Sequence, residues 1–221
     1  MTAVQSMAAG AQNGIGGTIE TKGSALAAGF HDPIHDSQAV FRGVLDVLSK
    51  PGTLVSLSLG TISPPNGLNA ATFALGLTLF DLQSPVCLSG GSLEASKQQI
   101  VYPFRFHCGC RFVDDPHESA FAIATEGSAT PTLASLSQGS DLYPEESTTL
   151  IVQVSCFTAG TSVSISGPGI REKATLNIAG VGDGFWEQRA DLESLYPRGV
   201  DIIFTCGSDL IGLPRSSRVE A

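Results

Sequence analysis

Several places in the chain bring together residue types that can do chemistry. His31 and His35 flank Asp32 and Pro33, and Asp36 follows. Imidazoles among carboxylates can move protons near neutral pH or ligate a metal. The same segment serves equally well as a capping turn at a helix entry. His107-Cys108-Gly109-Cys110 offers two thiols and an imidazole, the donors zinc prefers. A structural zinc needs four ligands, and no second Cys/His pair has matching spacing; His117 adds one nearby imidazole. Cys206 closes an apolar run before Gly207. A reactive thiolate there needs positive charge beside it, and Arg198 and Arg215 are the nearest candidates in sequence; the alternative is a buried, inert thiol. Arg171 and Arg215 follow turn sequences and could grip a phosphate or carboxylate through forked hydrogen bonds, or simply be solvated. Gly180-Val181-Gly182-Asp183-Gly184 precedes a helical pattern and could hold an anion, although Asp183 would repel it.

Larger catalytic signatures are missing from the sequence. None of the four lysines, Lys22, Lys50, Lys97 and Lys173, follows the glycine spacing of a phosphate-binding loop. No G-x-S-x-G elbow marks a serine hydrolase. No lysine carries a motif for a Schiff base, so no cofactor and no metal are expected. The residues alone describe a domain without a self-sufficient active site.

Composition narrows the partners. The chain has 221 residues, of which 42% are hydrophobic and only 15% charged, and carries a net charge of −9. That length supports one domain that buries roughly 70% of its unfolded surface. The low charge excludes a disordered chain and suggests that a partner covers some apolar surface. Nucleic acid would be repelled, because its affinity comes from basic residues neutralising phosphates. Met1 to Gln12 has no basic start or apolar stretch of an export signal, and proline and glycine break the uncharged run at 51–80. No membrane association is expected. The five cysteines, an odd number, fit reduced thiols and a cytoplasmic location.

The elements that must position these residues follow from periodicity. Residues 1–26 are rich in Gly, Ala, Ser and Thr and read as a mobile tail; 27–221 read as a single domain. Val40, Phe41, Val44, Leu45, Val47 and Leu48 recur at helical spacing after an N-cap at Asp36 or Ser37, and Pro51-Gly52 stops the helix. Strands are expected at 53–59, 85–89, 120–125, 148–156, 161–166, 200–206 and 210–213. Helices are expected at 70–81 with an Asn69 cap, at 93–102, briefly at 130–136, and at 185–196. Only four residues separate 148–156 from 161–166, too few for a parallel crossover, so a hairpin is expected there; another is expected across Gly207-Ser208-Asp209. Together these predict an α/β fold with a mixed-direction sheet flanked by helices on both faces.

Several segments carry more specific information. Phe30-His-Asp-Pro-Ile-His-Asp-Ser-Gln38, Phe41-Arg42 and Ser49-Lys-Pro51-Gly52 open a pattern that continues through Gly167-Pro-Gly-Ile170 and Tyr196-Pro-Arg-Gly-Val-Asp201. It closes with Phe204-Thr-Cys-Gly207 and Leu213-Pro-Arg-Ser-Ser-Arg-Val-Glu220. In combination and in order, across about 28–220, they resemble the PhnH family, the H subunit of the bacterial carbon–phosphorus lyase system. The resemblance implies a fold similar to pyridoxal-phosphate-dependent transferases without the cofactor site, a homodimer, and assembly with G, I and J subunits. That assembly, with an ATP-binding-cassette partner, forms ribose 1-alkylphosphonate 5-triphosphate from ATP and an alkylphosphonate; the H subunit is needed but is not the known seat of the chemistry. By their place in the motifs, Asp32, Gln38, Phe41, Arg42, Pro51 and Gly52 are expected to shape the first helix, and Asp201, Cys206, Gly207, Pro214 and Arg215 the C-terminal sheet. Asp32, His35, Arg42, Arg171, Asp201, Cys206 and Arg215 are candidate ligand or interface residues, and none is assigned to catalysis. Two other readings stand beside this one: a stand-alone enzyme on a phosphorylated small molecule using His31, His35 and Arg215, and a purely structural scaffold dimer.

Overall fold

A computed structural model describes residues 26–90 and 94–220. The expected tail lies outside the described residues, apart from Leu26. In chain order the elements are α1 (Pro33–Ser49), β1 (Leu54–Ser56), α2 (Ala70–Leu79), β2 (Val86–Ser89), α3 (Glu94–Cys108), β3 (Phe112–Val113), β4 (Phe121–Ala124), β5 (Thr149–Gln153), β6 (Cys156–Ser166), β7 (Ala174–Ala179), α4 (Phe185–Asp191), β8 (Asp201–Cys206), β9 (Asp209–Leu213) and β10 (Arg218–Glu220). Short 3₁₀ turns fill several of the connections.

A seven-stranded sheet in the order β1-β9-β8-β5-β4-β2-β3 forms the body. Its strands β3, β2, β4, β5 and β8 run parallel, while β9 returns antiparallel to β8 and β1 antiparallel to β9. The mixed sheet therefore matches the expectation, and so does the hairpin across 207–209.

Both faces of the central strands are buried, and their side chains alternate between two cores as a pleat requires. Leu150, Val152, Ile202 and Phe204 point to one core, where Phe185 and Trp186 of α4 and the residues Val163, Ile165 and Leu176 pack. Ile151 and Ile203 point to the other, beneath Val40, Val44 and Val47 of α1, Phe73 of α2 and Phe104 of α3. Three helices cover that second face. The first face is covered by α4 together with a three-stranded antiparallel sheet, β10-β6-β7.

That small sheet corrects the hairpin expected between 148–156 and 161–166. Strand β5 already has parallel partners on both edges, β4 and β8, so no slot is left for β6. The four intervening residues are part of β6 itself, which bulges between Cys156 and Thr161 and pairs with β7 and β10. Gly160, at φ +93°, allows the bend; a Cβ there would lie 2.3 Å from the Ile178 carbonyl oxygen.

Three helix limits also shift. The cap of α1 is Asp32, not Asp36 or Ser37: its Oδ1 accepts from the amides of Ile34 (3.2 Å) and His35 (3.1 Å). Pro33 then occupies the first helical position, where a missing N–H costs nothing. Helix α3 runs past Pro103 to Cys108, because Phe104 on its next turn is fully buried against Phe73 and Phe80. The pattern at 185–196 yields a shorter α4 followed by a 3₁₀ turn at Leu192–Leu195.

Candidate functional site at the Arg215 rim

The loop that joins β9 to β10 is anchored by several charged hydrogen bonds. Asp201, at the start of β8, accepts from Arg215 three times: from the backbone amide (2.7 Å), from Nε (3.1 Å) and from Nη2 (2.5 Å). Arg215 Nη1 donates to the Pro144 carbonyl. Both side chains of the ion pair are about one-fifth exposed, at 18% and 20%. A forked guanidinium on a carboxylate fixes direction as well as distance.

Arg189 supports the same loop from below. It is 1% exposed, and its Nη2 donates to the carbonyls of Pro214 (3.0 Å), Arg215 (3.4 Å) and Ser217 (2.8 Å). Burial lowers its pKa, and Glu193 and Asp201 oppose that shift. Glu193 also accepts from the Val219 amide. Arg189 belongs to none of the sequence motifs. Its signal was an arginine on the apolar stripe Phe185, Trp186, Leu192 of an otherwise amphipathic pattern. Above the loop is a cavity of about 340 Å³, lined by the 166–168 turn, Glu193, Tyr196 and the 215–218 segment.

Cys206 stands at the opposite end of β8 from Asp201, so Arg215 does not activate it. Five residue steps of strand separate them, roughly 17 Å. Cys206 Sγ donates to the Ser155 carbonyl (3.3 Å). Its pKa is raised by burial first, then by Asp209 and Cys156.

The carboxyl ends of β4, β5 and β8 open on a second cavity of about 570 Å³, lined by Asn69, Glu126, Gln153, Gly180 and Gly207 among others. Open parallel sheets commonly take ligands at such an edge. Here the amides and hydroxyls satisfy one another. The Asn69 amide donates to Gln153 Oε1 (2.6 Å), and Asn69 Nδ2 donates to Thr205 Oγ1 (3.1 Å). The buried hydroxyls of Thr72 and Thr205 are 2.7 Å apart. Gln153 Nε2 donates to Thr125 O (2.7 Å) and Gly67 O (2.9 Å). This network fastens the N-terminus of α2 to the sheet. The glycine-rich 180–184 turn ends at Gly184, a left-handed residue ahead of a helix of only seven residues.

The remaining candidates are dispersed. His35 Nδ1 lies 2.7 Å from Asp32 Oδ2, on side chains 78% and 49% exposed. The pKa of Asp32 is lowered, first by the His35 backbone amide and then by its ring. This is a solvent-facing cap. Arg42 is exposed, and its Nε donates to Gln38 O (3.2 Å). Arg171 is exposed in the bend before β7. None of the cavities described is lined by both His35 and Arg215. His107 Nε2 is 2.9 Å from the Ala27 carbonyl, while burial pushes Cys108 to about 12 and Cys110 to about 11. Among the described residues no three His, Cys, Asp or Glu side chains form a metal-holding group.

Comparison with known proteins places this architecture. The profile of PhnH, bacterial phosphonate metabolism protein, matches residues 28–220. The chain is 33% identical over 191 residues to the alpha-D-ribose 1-methylphosphonate 5-triphosphate synthase subunit PhnH of Rhizobium meliloti, covering 86% of this chain and 94% of that one. It is 30% identical over 187 residues to HtxG of Stutzerimonas stutzeri, named for a C-P lyase subunit, covering 83% and 85%. The matched span takes in every described strand and helix, the Asp201–Arg215 pair and the Arg189 anchor, and the chain belongs to the PhnH family of bacterial phosphonate metabolism proteins.

Proposed function

We propose that this chain is a subunit of a carbon–phosphorus lyase assembly. In this reading it is required for making ribose 1-alkylphosphonate 5-triphosphate from ATP and an alkylphosphonate, and it works by docking rather than by breaking bonds alone. Its partners are a second copy of itself and the G, I and J subunits, in the cytoplasm. Its fold is that of a pyridoxal-phosphate-dependent transferase without the cofactor site, and 27–221 act as one domain.

The observation that carries the docking reading is the outer face of α1. Ile34, Phe41 and Leu45, at helical spacing, are 67%, 46% and 51% exposed. The adjoining β1, an edge strand, leaves Leu54 45% exposed. Exposed apolar side chains clustered on one element mark an interaction surface. The dispersed His35, Cys206 and Arg215, each engaged in structural hydrogen bonds, support the same reading.

The test is to assay ATP and methylphosphonate with the purified chain alone, with the G, I and J subunits, and with all together. Turnover is expected only when every subunit is present. Turnover by the isolated chain overturns the proposal in favour of a stand-alone enzyme. Arg215→Ala separates a working subunit from a scaffold: assembly retained with activity lost excludes a scaffold, and loss of activity that always tracks loss of assembly favours one.

A further inference from the structure

We propose that the cavity above the β9–β10 loop binds a tetrahedral phosphoryl or phosphonyl oxyanion, with Arg218 as its direct cationic contact. The loop is built in a way that core packing does not require. Arg189 inserts a full positive charge beneath it, and Arg215 is locked on Asp201 within it. Arg218 projects from β10 as an exposed side chain with no ion-pair partner among the described residues. Three guanidiniums therefore face two carboxylates, Asp201 and Glu193. One positive charge is left over on a chain whose net charge is −9.

One residue of the cavity wall, Ser217, carries a buried hydroxyl with no partner, and Arg189 Nε beneath the loop, outside that lining, is also unpaired. Ser217 and Arg189 are each 1% exposed. Buried polar groups are nearly always paired, and because Ser217 borders the cavity, a group entering it would supply the partner that Ser217 Oγ lacks. Glu193 also lines the cavity; one of its oxygens is held by the Val219 amide, so it acts as part of the loop's support. The serine hydroxyls of the wall, Ser166 and Ser216, supply further donors for a tetrahedral anion. The cavity, about 340 Å³, has room for an esterified phosphate.

The test is calorimetric titration of the full chain at constant ionic strength with three probes: inorganic phosphate, ribose 5-phosphate and methylphosphonate. Saturable binding of one copy per chain is expected for at least one probe, and the tightest names the source of the anion. Arg218→Ala is expected to weaken it about tenfold or more, with an unchanged melting temperature because the side chain is exposed. Arg218→Lys keeps the charge and loses the fork, so it should fall between. Arg105→Ala, on α3 across the main sheet, is the charge-matched control and should leave binding intact. No saturable binding of any probe overturns the site, as does equal weakening by Arg218→Ala and Arg105→Ala. A chain that binds none of the probes yet still completes the assembly leaves the subunit reading standing, so the two failures are distinguishable.

Discussion

Asp201 and Arg215 are joined by three hydrogen bonds although 14 residues separate them, and one of the donors is the arginine's own backbone amide. The pair therefore sets the path of the chain leaving β9 as well as balancing charge. Asp201→Ala would strand a mostly buried guanidinium and an amide, at a cost of about 2–3 kcal/mol. Urea unfolding should show a lower midpoint with an unchanged slope. The double variant Asp201→Leu, Arg215→Met should regain part of that loss, because no buried charge is left unpaired.

Gly212 lies where the backbone of α1 passes close over β9. A Cβ at this position would lie 2.5 Å from the Val47 carbonyl oxygen and 2.7 Å from its carbon. Backbone cannot yield as a side-chain tip can. Gly212→Ala should destabilise the chain by about 2 kcal/mol or more. Gly207→Ala is the contrast: nothing lies within 4 Å of its Cβ, and only the positive φ of +60° resists the change. Thermal melts of the two variants should differ clearly, with Gly212→Ala the lower.

The thiols should divide by environment. Hydrogen bonds from Thr158, its backbone amide first, lower the pKa of the half-exposed Cys156. Burial raises those of Cys87, Cys108 and Cys110. Under native, mildly alkaline conditions an alkylating reagent should mark Cys156 first, with those three protected until unfolding. Peptide mapping by mass spectrometry reads the order, and earlier labelling of Cys108 contradicts it.

The cap of α1 should be pH-dependent in one direction. The folded pKa of Asp32 is depressed, so its carboxylate stabilises the fold above the ordinary unfolded value of about 3.9. That contribution is lost as pH falls through the depressed value. Asp32→Ala should melt below the wild type at neutral pH, and the gap should narrow in acid. A gap that widens in acid contradicts this account.

Much of this molecule is written in local pattern. The 3.6-residue spacing of Val40, Val44 and Val47 produced α1, the Asn69 cap produced the start of α2, and the apolar runs at 149–153 and 201–206 produced the central strands, because which side of an element is buried depends on its own side chains. The lack of a phosphate loop, a serine elbow or a Schiff-base motif is equally a property of the chain alone, and the family motifs were legible in order along it. Strand partnership was not. A period of two says that Val163 and Ile165 face a core, but not that both edges of β5 are taken and β6 must leave for a second sheet. The candidate site was legible in part: Asp201 and Arg215 stood out separately, while their pairing, the burial of Arg189 beneath them and the separation of Cys206 from both arose only on folding. Such contacts depend on which distant segments share an end of the same strand, and sequence spacing carries no measure of that.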